Sequence, residues 1–215
     1  MPLVSAALEI VLTLTCVGCA RTGVRSGNDF LVVGFLWVAA ASFVGAFNLG
    51  GVTTVDPTHR WLAAVGRGPA TAAMALGLAA AWFGAWRHQR LGAVVLTVVG
   101  ATAIHLLLGT PSLGPVTLLL GGTLPATLLL VFLSAARRGA VAAAVPAMIA
   151  LVALLAVAFV VPRVALPPWL PLERVDVFHL VLVAAYLALD RAVVAAVGAG
   201  GKMDDPGMGT RSSRS

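Results

Sequence analysis

Residues 173–191 read ERVDVFHLVLVAAYLALDR. Between Arg174 and Arg191 this run is apolar except for Asp176, His179, Tyr186 and Asp190. It is close to the length of a membrane helix, which needs about 20 mostly apolar residues. An ionisable side chain inside such a helix is costly, and function is the default reason for keeping one. Composition settles which solvent the run meets. Of 215 residues, 60% are hydrophobic and 10% charged, against about 25% charged in soluble domains. A soluble domain of this size cannot turn that much apolar surface inward. The 14 Lys and Arg outnumber the 8 Asp and Glu, but the basic residues lie in short connections between apolar runs. With no basic face and no aromatic platform, nucleic acid is not an expected partner; the lipid bilayer is.

Working outward, the chain divides into seven predicted spans, an all-α membrane bundle: Leu3–Ala20, Phe30–Val52, Trp61–Trp86, Leu91–Leu108, Pro115–Ser134, Gly139–Val161 and Val175–Val197. The separators RTGVRSGND, TVDPTHR, RHQR, GTPSLG, RRG and PRVALPPWLPLER carry turn chemistry. GTPSLG is short and uncharged, so the fourth and fifth spans are expected to form a tight hairpin. Pro125 and Pro146 fall inside spans, which membrane helices tolerate when neighbours satisfy the freed backbone groups. The first ten residues, MPLVSAALEI, contain no Lys or Arg, so the first segment reads as a retained helix and not as a signal peptide. Residues 199–215 are polar and glycine-rich and are expected to be a disordered cytoplasmic tail.

Seven spans put ten Lys and Arg on one side and four (Arg60, Arg67, Arg163, Arg174) on the other. The basic side is cytoplasmic, which places the N-terminus outside and the C-terminus inside. The Arg-rich, Ala- and Gly-rich composition is that of a GC-rich bacterial genome, so the expected location is a bacterial plasma (inner) membrane, with several passes.

Depth then groups the polar residues. A helix rises 1.5 Å per residue, so Glu9, Asn48, Arg67, His105, Asp176 and His179 all fall within roughly 10 Å of the outer interface. Ser5, Glu9, Thr13 and Cys16 share one face of the first helix; Asp176, His179, Tyr186 and Asp190 share one face of the last. Such stripes should face the bundle interior, so the first and last helices are expected to face each other or a common pocket. Asp176, one turn from His179, is expected to orient its ring. Cys16 and Cys19 read as small packing residues, and Trp61, Trp86 and Trp169 as an aromatic belt.

Three chemistries fit these residues. A zinc site takes about three protein ligands plus water, and His105, His179 and either Glu9 or Asp176 would supply them, with Glu9 or Asp176 also available as general base. A proton path would use Glu9, Asp176, His179, Tyr186 and Asp190, making the chain a small proton-coupled transporter or channel. A scaffold or sensor would use the same groups only to lock helix packing. Asn48, Arg67 and Tyr186 would line the pocket in any of the three.

DVFHLVLVAAYLALDR (176–191) resembles the last helix of two groups. One is an uncharacterised family of bacterial seven-helix membrane proteins with an Asn-Asp-x-x-His-like motif there. The other is the wider superfamily of alkaline ceramidases, progestin/adipoQ-type receptors and hemolysin III-like proteins. Glu9 and SFVGAFNLG (42–50) are similar in placement to the first family. The resemblance implies a seven-helix intramembrane zinc hydrolase acting on a lipid-like substrate, with His179 a ligand and Asp176 or Glu9 a ligand or general base. Asn48 stands where that pattern has a histidine, and the last helix carries one histidine in place of two.

Overall fold

The structure is a computed structural model and describes residues 2–84, 89–107, 113–166 and 172–200. The described residues are all-helical, with no strand. Among the described residues six helical segments are long and apolar enough to cross a membrane: Leu3–Arg25, Asp29–Leu49, Thr53–Phe83, Leu119–Arg137, Val141–Arg163 and Arg174–Gly198. Their outward faces carry large apolar side chains, among them Leu3, Leu14, Leu119, Val141 and Phe159. A continuous apolar exterior is what a bilayer requires and what water penalises.

The helices are α1 (Pro2–Arg25), α2 (Asp29–Leu49), α3 (Asp56–Arg67), α4 (Pro69–Phe83), α5 (Gln89–Leu107), α6 (Leu113–Arg137), α7 (Val141–Leu155) and α8 (Arg174–Gly200). The predicted third span, Trp61–Trp86, is in fact two helices. Pro69 has no N–H to continue the ladder, and Gly68 leaves helical geometry at φ −111°, ψ −90°. α3 also starts earlier than predicted, with Pro57 in its first turn where proline is pre-organised. α7 loosens into a π turn (156–160) and a 3-10 turn (161–163) around Pro162. α8 runs to Gly200, past the predicted end of the last span. The remainder of the predicted tail, Trp86, Trp169 and most of GTPSLG lie outside the described residues.

Neighbour contacts give the direction of each helix. Asn28 caps α2 by accepting from the Leu31 amide at 3.3 Å and donates to the Gly77 carbonyl at 2.7 Å, which pins the α1–α2 turn to the second half of α4. Gly34 meets Met74 and Gly77 meets Leu31 at close range, the near approach that small residues allow between helices in lipid. α4 therefore runs against α2. Gly92 at the start of α5 packs on the Phe30 ring, and Ile104 near its end packs by Gly68, so α5 runs against α4. α6 runs with α4: the Thr71 hydroxyl donates to the Leu120 carbonyl at 3.4 Å and Trp82 Nε1 to Ser134 Oγ at 3.0 Å. α1 packs between α2 and α8, and α4, α6 and α7 close the other side of the bundle. The core, including Leu12, Leu31, Phe35, Met74, Leu78, Leu124, Leu128 and Leu189, fills the space between them.

Candidate functional site

The buried residues of α1 recur at Ser5, Glu9, Leu12, Cys16, Cys19 and Gly23. Steps of four and three are the rhythm of a helix that packs along one seam. That seam places polar groups of α1 against polar groups of α8, and the two helices run parallel. Ser5 Oγ donates to Asp176 Oδ1 at 2.5 Å, His179 Nε2 lies 3.1 Å from Glu9 Oε1, and Cys19 Sγ lies 3.7 Å from the Tyr186 carbonyl. The expectation that the first and last helices face each other holds.

Asp176 is fully buried, and both of its oxygens are engaged. Oδ1 accepts from Ser5, and Oδ2 accepts from the Glu173 amide at 2.7 Å. Glu173 immediately precedes α8 and Asp176 is its third residue, so this is the backward half of a capping box, satisfying an N–H that the helix leaves free. The predicted orientation of His179 by Asp176 is therefore replaced: the carboxylate that holds the ring comes from α1, not from one turn away on α8. Asp176 anchors the start of α8 and ties it to α1.

Glu9 and His179 are 4% and 5% exposed. Only one atom of each is used in their contact; Glu9 Oε2 and His179 Nδ1 are buried with no hydrogen-bond partner among the described residues. Unpaired buried polar atoms cost about 1–3 kcal/mol each, so such a pair needs a reason. A carboxylate only accepts, so in the ionised form of Glu9 the shared bond places the His179 proton on Nε2.

A second imidazole, that of His59, approaches Glu9 over Gly45 of α2. A Cβ placed on Gly45 of α2 would lie 2.6 Å from Glu9 Oε1 and 3.0 Å from His59 Nε2. These two atoms are thus no more than about 5.6 Å apart, the sum of the two distances. Any larger residue at 45 would occupy the space that lets the two side chains approach over the α2 backbone. Asn48 Nδ2 lies 3.4 Å from His59 Nδ1. A donor there leaves Nδ1 as acceptor and the His59 proton on Nε2, on the Glu9 side.

Of the predicted site residues, the structure brings together Glu9, His179, Asp176 and Asn48 at one end of the bundle. Tyr186 is buried two turns further along α8, edge-on to Phe35 with ring centres 5.7 Å apart, within the packed seam. Arg67 is exposed at the end of α3, and its carbonyl accepts from Thr71 at 2.9 Å. His105 is exposed on α5, which packs against α2, α3 and α4 and not on the α1–α8 seam. His59 and Gly45 take places that sequence reasoning left empty, and Ser5, on the expected polar face of α1, serves Asp176. His59 lay in a stretch read as a connection; its one signal was a histidine eleven residues after Asn48 on the same side of the membrane.

The zinc set does not assemble. Among the described residues no three His, Cys, Asp or Glu side chains lie close enough together to hold a metal ion. With His105 elsewhere and Asp176 fully engaged, the arrangement is a carboxylate in contact with one imidazole, with a second, His59, within about 5.6 Å. Comparison of the chain with protein-family models, with curated proteins and with solved structures finds no match.

Proposed function

We propose that this chain is a seven-span protein of the bacterial plasma membrane, N-terminus outside, whose Glu9–His179 pair is an acid–base site in the outer leaflet that hydrolyses an ester or amide bond of a lipid-like substrate. The parallel course of α1 and α8 supports the span count, because parallel first and last helices need an odd number of crossings. α5 supplies the crossing that six would lack. Its 19 residues reach about 28 Å, close to the hydrocarbon thickness. Orientation rests on Arg21, Arg25, Arg137, Arg138 and Arg191, which are exposed towards the end of the bundle away from Glu9.

The observation that carries the chemistry is the free Glu9 Oε2 beside a held imidazole. In the proposed step Oε2 takes a proton from water as the water oxygen bonds to the substrate carbonyl carbon. The bond to the leaving oxygen or nitrogen then breaks, and that atom takes the proton back from Glu9. His179 holds the carboxylate in place throughout. Transport along the α1–α8 seam is the weaker reading, since Leu12, Cys16, Tyr186 and Leu189, each 4% exposed or less, fill the seam between His179 and Asp190 with packed side chains.

The test is turnover of ester- and amide-linked lipids by purified protein in detergent, read by mass spectrometry of products. Glu9→Gln is expected to lower the rate by about 10²–10⁴-fold, the range general acid–base groups supply. No product from any lipid in the panel, or equal product from Glu9→Gln, overturns the proposal.

A further inference from the structure

We infer that α3 is a hinged cover over the Glu9–His179 pair and that its His59 joins the site only when the cover is down. The inference rests on the reading of Glu9–His179 as the reactive pair, and it adds a moving part and a third residue to it. Two breaks in helical geometry set α3 off from α2 and α4, each still bridged by hydrogen bonds such as Gly68 N–H to the Ala64 carbonyl at 3.1 Å and Val52 N–H to the Phe47 carbonyl at 3.0 Å. On one side Gly50 and Gly51 follow α2, and Gly51 has φ +99°, a conformation that other residues rarely adopt. On the other side Gly68 is non-helical and Pro69 cannot donate to the turn before it. The sixteen residues between these breaks, 52–67, comprising a 3-10 turn (Thr53–Val55) and α3, form a unit that can tilt without breaking a helix.

α3 packs mainly on α2, with smaller contacts to α4, α5 and α6. Leu62 and Val65 are its buried residues. Its ion pair, Arg60 to Asp56 at 2.7 Å, is internal and solvent-exposed, so it stiffens α3 and ties it to nothing else. Trp61 lies edge-on to Trp37 with ring centres 5.6 Å apart, yet its buried indole Nε1 has no acceptor among the described residues. Tilting α3 outward would give that N–H access to water or headgroups, which offsets part of the lost contact. The tether nearest the site, Asn48 to His59, is long at 3.4 Å for a hydrogen bond. At the other pole of this balance, the closed position sets His59 Nε2 over Gly45 beside Glu9 Oε1. In this position α3 covers the pair, with His59 Nε2 no more than about 5.6 Å from Glu9 Oε1. A lipid-like molecule needs the cover raised to reach Oε2, and water is excluded once it is lowered.

A disulfide decides the matter, because a Cβ on Gly66 of α3 would lie 3.9 Å from Ala41 Cβ on α2, within the span a disulfide bridges. Cys16 and Cys19 are buried and do not compete. Ala41→Cys/Gly66→Cys protein in detergent is treated with dicyclohexylcarbodiimide, an apolar reagent that adds to a carboxyl group to leave an N-acylurea, and the Glu9 adduct is followed by peptide mass spectrometry. With the open form a minor state of up to about 10%, oxidation is expected to slow labelling of Glu9 about tenfold or more, and reduction to restore it. Asn48→Ala, which frees His59, is expected to speed labelling and needs no disulfide. Equal rates in oxidised and reduced protein, or an unchanged rate in Asn48→Ala where the disulfide does not form, overturn the cover. Redox-dependent labelling with no lipid turnover overturns the hydrolase reading and leaves the cover standing.

Discussion

Glu9 and His179, from the first and last helices, meet at 3.1 Å, and among the described residues neither side chain's second polar atom has a partner. Removing one partner leaves the other buried and unpaired, which typically costs about 3–5 kcal/mol, while replacing both with apolar residues of similar size is often neutral or stabilising. His179→Leu alone is therefore expected to be strongly destabilised in denaturant titrations in detergent, and Glu9→Leu/His179→Leu to recover most of the loss. A double variant less stable than His179→Leu would mean that the pair does not interact in the folded protein.

Asp176 plays a different part from Glu9, and the two can be separated by experiment. Ser5→Ala removes a hydrogen bond to a charged group, worth about 1.5–3 kcal/mol, and loosens the start of α8 against α1. It should lower stability by that order and leave lipid turnover per folded molecule near wild type. A large loss of turnover with full stability would instead place Asp176 in the chemistry.

Gly45 offers a steric test. In Gly45→Ala the new methyl would sit 2.6 Å from Glu9 Oε1, too close for any Cβ, so Glu9 or His59 must move. Inserting a methyl into a packed site costs about 1–3 kcal/mol. The expected outcome is a folded protein with turnover reduced at least as much as its stability predicts; wild-type turnover would show that the approach of Glu9 and His59 over α2 is irrelevant.

Much of this arrangement is legible in the sequence, and what is not has identifiable causes. Helical spacing alone puts Glu9 and Cys16 on one face of α1 and Asp176, His179 and Tyr186 on one face of α8, because period and depth are local properties. Which carboxylate serves which neighbour is not local. One turn separates Asp176 from His179, which suggests a pair, yet its position three residues into α8 makes it a cap, and its remaining oxygen goes to Ser5. His105 was grouped with the site by depth, but depth says nothing about which helices are adjacent. His59 went unseen because Asp56, Pro57 and Arg60 around it read as a turn. The break that turns that stretch into a separate helix is itself written in Gly68–Pro69, where the surrounding apolar count masked it.

Direction of the chain across the membrane gives the last prediction. α1 and α8 run parallel, and α5 runs from beside Phe30 to beside Gly68, so the reading with seven crossings puts residues 50–56 on the outer side and the α6–α7 turn on the inner side. Thr54 and Arg138 are both exposed, and neither sits in a buried hydrogen bond. Single cysteines in a background lacking the native thiols, Thr54→Cys and Arg138→Cys, should therefore react oppositely in intact cells: the first with a membrane-impermeant maleimide from outside, the second only after permeabilisation. Labelling of both from one side would require an even number of crossings between them, which the observed directions of α4, α5 and α6 do not supply, and would remove the basis for placing Glu9 in the outer leaflet.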